Sequence, residues 1–155
     1  MPEQRVTAKF LLLHTFAHIM INQFSYECGY GSSAIRERIY CDLNSPDEPM
    51  NGVLIYTASG DSEGSLGGLV RQGMPGYLED IVLSALHAAK WCSSDPVCMD
   101  SKGQGPDSCN LAACHGCALL PETSCEEGNR LLDRAMLTGT PECPDAGYFF
   151  GFENL

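Results

Sequence analysis

Cys114-His115-Gly116-Cys117 sets two thiols at the two-residue spacing that lets both grip one metal ion. Six of the nine cysteines, Cys92, Cys98, Cys109, Cys114, Cys117 and Cys125, fall in one stretch otherwise rich in Gly, Pro, Ser and Asp. Such a stretch cannot form a packed core unaided, so the chemistry it points to is a cross-link. Four thiolates close a tetrahedral zinc site and leave no position for a reactive water, which makes the expected ion structural. Cys114, Cys117 and Cys125 supply three ligands and an upstream cysteine the fourth. Cys98, just after the end of a helix, is preferred, with Cys92 and Cys109 as alternatives. Ser124 to Glu127 spells a capping box, which predicts Cys125 in the first turn of a helix whose positive end favours a thiolate. Disulfides are the competing use of so many cysteines. The opening Met-Pro-Glu-Gln-Arg-Val lacks the basic and apolar regions of a secretory leader, which directs the reading to a reducing, cytoplasmic setting.

A second constellation lies near the start. Phe10, Leu13, Ala17, Met20, Ile21 and Phe24 repeat at helical spacing, with Leu11, Leu12, Phe16 and Ile19 covering the other sides, and Thr7 is placed to cap a helix running to about Gln23. A helix apolar all round is buried. His14, His18 and Asn22 nevertheless form one polar stripe on it, and buried polar groups need partners. They are read either as core histidines tied to Glu27 or a glycine loop, or as a pair that binds a metal or faces a phosphate. The second reading draws in Asp61 and Ser62, in the Gly-rich loop that follows a strand, where backbone N–H groups converge on ligands. From it comes an alternative function, a phosphodiesterase or nuclease working through His14, His18 and the loop 59–65 with Asp61 or Glu63. The His-x-Lys pair of a phospholipase D-type nuclease is missing, since Thr15 and Phe16 follow His14. The loop also lacks the Lys-Ser/Thr ending of a P-loop and the glycine spacing of a dinucleotide site.

The elements that must position these residues follow from pattern. Gly52 to Ala58 is a continuous apolar and β-branched run, expected as a central strand covered on both faces. Ala34 to Leu43 reads as a short helix entering a strand, and Asn44 to Asn51 as an exposed turn. Pro75 opens a helix whose Leu78, Ile81, Val82, Ala85, Leu86 and Ala89 make one apolar stripe, delivering Trp91 and Cys92 to the cysteine segment. A last helix is expected over Cys125 to about Leu137, and Tyr148 to Phe152 reads as a terminal strand or an aromatic tail that docks on a partner. Together these predict one α/β domain over residues 1–155. It is a small mixed sheet packed by helices, with a loop-rich, four-cysteine zinc subregion at about 92–125 before the last helix.

Charge narrows the function. A net charge of −11 with only nine Lys and Arg argues against the chain gripping nucleic acid directly, because phosphate binding rests on clustered cations. The longest apolar run, Phe10 to Ile21, carries two histidines and falls short of the roughly 20 residues that cross a bilayer, so no membrane partner is expected.

One family carries these features together. Leu11 to His18, Arg36 to Tyr40, Ile55 to Ala58 with Gly67-Gly68-Leu69, Trp91 to Cys98, Ala113 to Cys117, Glu122 to Glu126, Asn129 and Leu132-Asp133-Arg134 span most of the chain. In them the chain resembles the zinc-binding domain at the C-terminal end of DrmB-type proteins of the DISARM anti-phage system. More distantly it resembles the corresponding domain of MrfA-type DNA-repair helicases. The resemblance implies zinc held by Cys98, Cys114, Cys117 and Cys125, and a superfamily 2 helicase as partner, DrmA in the DISARM case. It implies a non-enzymatic accessory role in anti-phage defence or DNA repair, with DNA contacted through the partner. No Walker A or Asp-Glu-x-His ATP motif is visible, which places ATP hydrolysis elsewhere.

Overall fold

Thr7 accepts a hydrogen bond from the Phe10 N–H at 3.2 Å and so starts α1, Ala8–Cys28, which runs one turn beyond the expected end. Gly29 stops it in the left-handed conformation at φ 69°, its N–H returning to the Ser25 carbonyl. The computed structural model describes residues 6–42, 50–58 and 68–152. The loop carrying Asp61, Ser62 and Glu63 and most of the acidic turn after Asp42 lie outside them.

As its all-round apolar sequence requires, α1 is the central post. The core gathers Ile19, Met20, Ile21 and Phe24 from α1 with Ile35, Ile81, Ala85, Leu86, Leu120 and Leu137. β1, Ile35–Cys41, and β2, Asn51–Thr57, pair antiparallel in the register Ile35 to Thr57 and Glu37 to Ile55. The sequence pattern predicts a helical first half for β1. Its residues instead alternate, Ile35 and Glu37 facing inward and Arg36 and Arg38 outward, and a period of two can be satisfied only by a strand. α2 is Gly68–Gln72, and α3, Leu78–Ala89, turns Ile81, Ala85, Leu86 and Ala89 inward as its stripe predicts.

The α/β class holds, with corrections of detail. Among the described residues the sheet has two antiparallel strands, so it is not mixed and β2 is not central. The expected helix over Cys125 to Leu137 shrinks to α4, Ala135–Thr138. Asn129 at φ 60° and Leu131 at φ 62° break any helix through this stretch. The capping box does not form either, because Ser124 closes a short 3-10 turn and its hydroxyl donates to the Ser32 carbonyl at 2.9 Å. Cys125 is therefore extended, at φ −114° and ψ 126°. The aromatic tail forms turns instead of a strand, and Phe149 stacks on Phe16 of α1 with centroids 5.5 Å apart.

Candidate metal centre

The end of α3 and two tight turns bring four sulfurs together. Cys92 follows α3 directly, and its N–H donates to Asp95 Oδ2 at 2.9 Å. Asp95 Oδ1 accepts from the Met99 N–H, so one carboxylate shapes the turn that carries Cys92 and Cys98. Arg134, fully buried, donates to the same carboxylate and to the Ala89 carbonyl, pinning this turn to the helix end. Opposite, the Cys117 and Ala118 N–H groups donate to the Cys114 carbonyl, folding Cys114 to Cys117 into a knuckle. Gly116 leaves room there: a β-carbon would stand 3.1 Å from Ser93 Oγ and 3.4 Å from Cys92 Sγ.

The result is a cluster of Cys92, Cys98, Cys114 and Cys117. Cys92 and Cys114 sulfurs lie 3.5 Å apart, Cys98 and Cys117 3.8 Å, and Cys114 and Cys117 3.9 Å. Four sulfurs about 2.3 Å from one zinc in a tetrahedron are separated by about 3.8 Å, whereas a disulfide needs about 2.05 Å. All nine cysteines are free. Each sulfur of the cluster also accepts an N–H: Ser94 to Cys92, Gln104 to Cys98, Gly116 to Cys114 and Cys114 to Cys117. That is the support a thiolate needs and a thiol does not. Without a cation the four cannot ionise together. Burial and the neighbouring thiolates push Cys117 up, while at Cys114 the Gly116 N–H and the surrounding thiols outweigh burial and hold it down to about 7. A divalent ion removes this conflict by stabilising all four charges.

Of the residues expected as ligands, the structure brings Cys98, Cys114 and Cys117 together and leaves Cys125 out. The fourth member is Cys92, and Cys109 is exposed, its sulfur turned to the Asp107 carbonyl. The reason is where α3 ends: it delivers Cys92 against the knuckle, while the extended backbone at Cys125 turns that sulfur toward α1.

There Cys125 joins His14, His18 and Glu37 in a second buried group. The polar stripe of α1 faces the cysteine segment. His18 Nδ1 donates to the Ala118 carbonyl at 2.7 Å, Asn22 Nδ2 to the Cys117 carbonyl at 3.3 Å, and His14 Nδ1 lies 3.3 Å from the Leu131 carbonyl. The partner carboxylate is Glu37, not Glu27, which instead accepts from Gln23. Burial disfavours charge on His14, yet Cys125 and Glu37 beside it prevail and raise it to about 10. Likewise the two histidines outweigh burial to lower Glu37 to about 2 and Cys125 to about 7. His14 and His18 are 0 % exposed, so neither can reach a phosphodiester from solvent, and the hydrolase reading loses its catalytic groups. Glu37 escaped notice in the sequence. Its signal was the strand alternation that sets it between Ile35 and Ile39.

Four clustered cysteine sulfurs able to hold a metal ion, set on a helix-and-hairpin body, are what a zinc-binding domain presents. The family described as the MrfA Zn-binding domain, MZB, matches residues 16–118, more than half of the chain, and the chain belongs to it. Cys92, Cys98, Cys114 and Cys117 all lie inside the matched span, and His14 and Cys125 outside it. Over 142 residues, 92 % of the chain, it is 46 % identical to the DISARM protein DrmB of Bacillus paralicheniformis. That match covers 24 % of DrmB, so the chain spans about a quarter of this relative's length. Among the described residues no helix is long and apolar enough to cross a membrane.

Proposed function

We propose that the chain is the zinc-stapled accessory module of a DISARM-type anti-phage complex, in which it docks on the helicase subunit and meets DNA only through that partner. The observation that carries this reading is the 46 % identity to DrmB along almost the whole chain, combined with four clustered sulfurs, enough to close a tetrahedral site around one ion. Cys92, Cys98, Cys114 and Cys117 hold the ion and thereby fix the turns that contain them. The turn that carries Cys92 and Cys98 presents apolar side chains to solvent: Trp91 is 70 % and Val97 79 % exposed, beside the buried Cys92 and Cys98. Exposed aromatic and apolar groups on a rigid frame are what a protein partner takes up. The charge of −11 favours a protein partner over a phosphate backbone.

The test is co-purification with the DrmA-type helicase of the same system. Wild-type protein should bind it. A Trp91→Ala, Val97→Ser double variant should lose binding while keeping its zinc content and melting temperature. Retained binding in that variant would remove this surface from the interface, and no binding by wild type would remove the docking role.

A further inference from the structure

His14, His18, Glu37 and Cys125 come from three separate parts of the fold: consecutive turns of α1, the inward face of β1, and the extended segment after the Glu122–Ser124 turn. Their donor atoms all lie within 4.8 Å of one another. His14 Nε2 is 3.2 Å from Cys125 Sγ and 3.0 Å from Glu37 Oε1, and His18 Nε2 is 3.4 Å from the same oxygen. Apart from these mutual approaches, neither Glu37 oxygen nor His18 Nε2 has a hydrogen-bond partner, although all are buried.

Those close approaches set two imidazoles against two acids. A carbonyl oxygen only accepts, so His18 Nδ1 facing Ala118 and His14 Nδ1 facing Leu131 carry the ring hydrogens. In a neutral ring Nε2 is then a bare lone pair, and both lone pairs are aimed at a carboxylate oxygen and a sulfur. Positive charge must stand among the four. Protonating His14 alone gives its one Nε2 hydrogen both Glu37 Oε1 and Cys125 Sγ to serve and leaves the His18 Nε2 lone pair facing Glu37, and protonating both rings sets two imidazoliums with centroids 4.6 Å apart inside a buried pocket. One divalent ion satisfies all four donors at once.

The rest of the surroundings fit a metal. Nitrogen and oxygen about 2.0–2.2 Å and sulfur about 2.3 Å from a tetrahedral zinc are spaced by about 3.2–3.6 Å, close to the separations found. The backbone carbonyls at both Nδ1 atoms orient the rings, and the Asn129 N–H donates to Cys125 Sγ at 3.3 Å. Two imidazoles, one carboxylate and one thiolate make a donor set for zinc.

We propose that His14, His18, Glu37 and Cys125 form a second zinc site, structural and closed to solvent, which rivets the segment after the first zinc loop to α1 and β1. It is independent of the docking role, and its failure would leave that role untouched.

Metal analysis of untagged, folded protein tests it, together with zinc-edge X-ray absorption. Two filled sites give two zinc ions per chain sharing five sulfurs and three nitrogen or oxygen donors. Glu37→Gln should reduce the content to one ion with an all-sulfur shell. Cys92→Ser should leave one ion in a mixed shell. A single zinc of mixed nitrogen, oxygen and sulfur shell in wild type would support the second site and discard the four-cysteine one. Wild-type protein holding one zinc with four sulfur neighbours, or none, overturns the proposal, and that measurement needs no variant to fold.

Discussion

Asp95 does three tasks with one carboxylate: it accepts the Cys92 and Met99 N–H groups and neutralises Arg134. The two partners of this ion pair are not equivalent, because Arg134 is 0 % and Asp95 20 % exposed. Asp95→Ala strands a buried guanidinium and frees two backbone donors, and should cost roughly 3–5 kcal/mol. Arg134→Met leaves an aspartate that keeps both N–H partners and some water, and should cost roughly 1–3 kcal/mol. Urea unfolding with zinc present measures both, and the reverse order would refute this account of the turn. Such asymmetry is invisible in sequence. The same holds for the four clustered cysteines. Cys114 and Cys117 were legible because their two-residue spacing alone brings the sulfurs together. The choice of Cys92 over Cys125 was not, since it depends on where α3 ends in space and on left-handed backbone at Asn129 and Leu131.

Helix α1 is both core element and template for the cysteine segment. Its apolar residues fill the core, and its buried polar residues meet backbone groups of the segment at Ala118, Leu131 and, through Thr15 Oγ1, the Asp133 N–H at 3.0 Å. Thr15→Val keeps the shape but leaves that buried N–H without an acceptor, so thermal or urea unfolding should show a loss of about 1–3 kcal/mol. Thr7→Ala, at the exposed start of the same helix, should cost only about 1 kcal/mol, the ordinary value of an N-cap. Elements whose apolar period is uninterrupted were legible: α1, α3 and β2 form over the stretches the pattern marks, although β2 has one strand neighbour and not two among the described residues. β1 was half legible because its three charged residues obscured an alternation that burial makes plain. The region after Cys125 misled because Leu131, Leu132, Ala135 and Met136 keep helical spacing, whereas its local geometry is set by side chains bonding backbone. Asn129 pairs with both polar groups of Leu120, and Asn110 accepts the Leu132 N–H.

Across the whole molecule the apolar core is unevenly shared. The large cluster joins α1, β1 and α3 with Leu120 and Leu137, while the cysteine segment has only Ala113, Ala118 and Leu132 as a buried cluster of its own. Three small-to-medium side chains bury too little apolar surface to order this segment by packing alone. Zinc at a thiolate site contributes about 10–16 kcal/mol at neutral pH, comparable with the entire stability of a domain, so the metal decides whether this half is ordered. Metal removal should therefore be local. Hydrogen exchange after chelation should rise steeply over 92–134, while amides of α3 and of α1 around Ile19 to Phe24 keep their protection. The route of loss should show two rates. Cys114 and Cys117 are half-buried and open the four-cysteine site to a chelator, whereas His14, His18 and Glu37 are closed to it until the segment lifts from α1. A zinc indicator should then record one ion leaving quickly and a second slowly, with the slow phase following the rise in exchange at Cys125 to Asp133. Release of all zinc in one fast phase, with protection lost evenly through α1 and α3, would mean that the two halves fold as one unit and that no buried ion joins them.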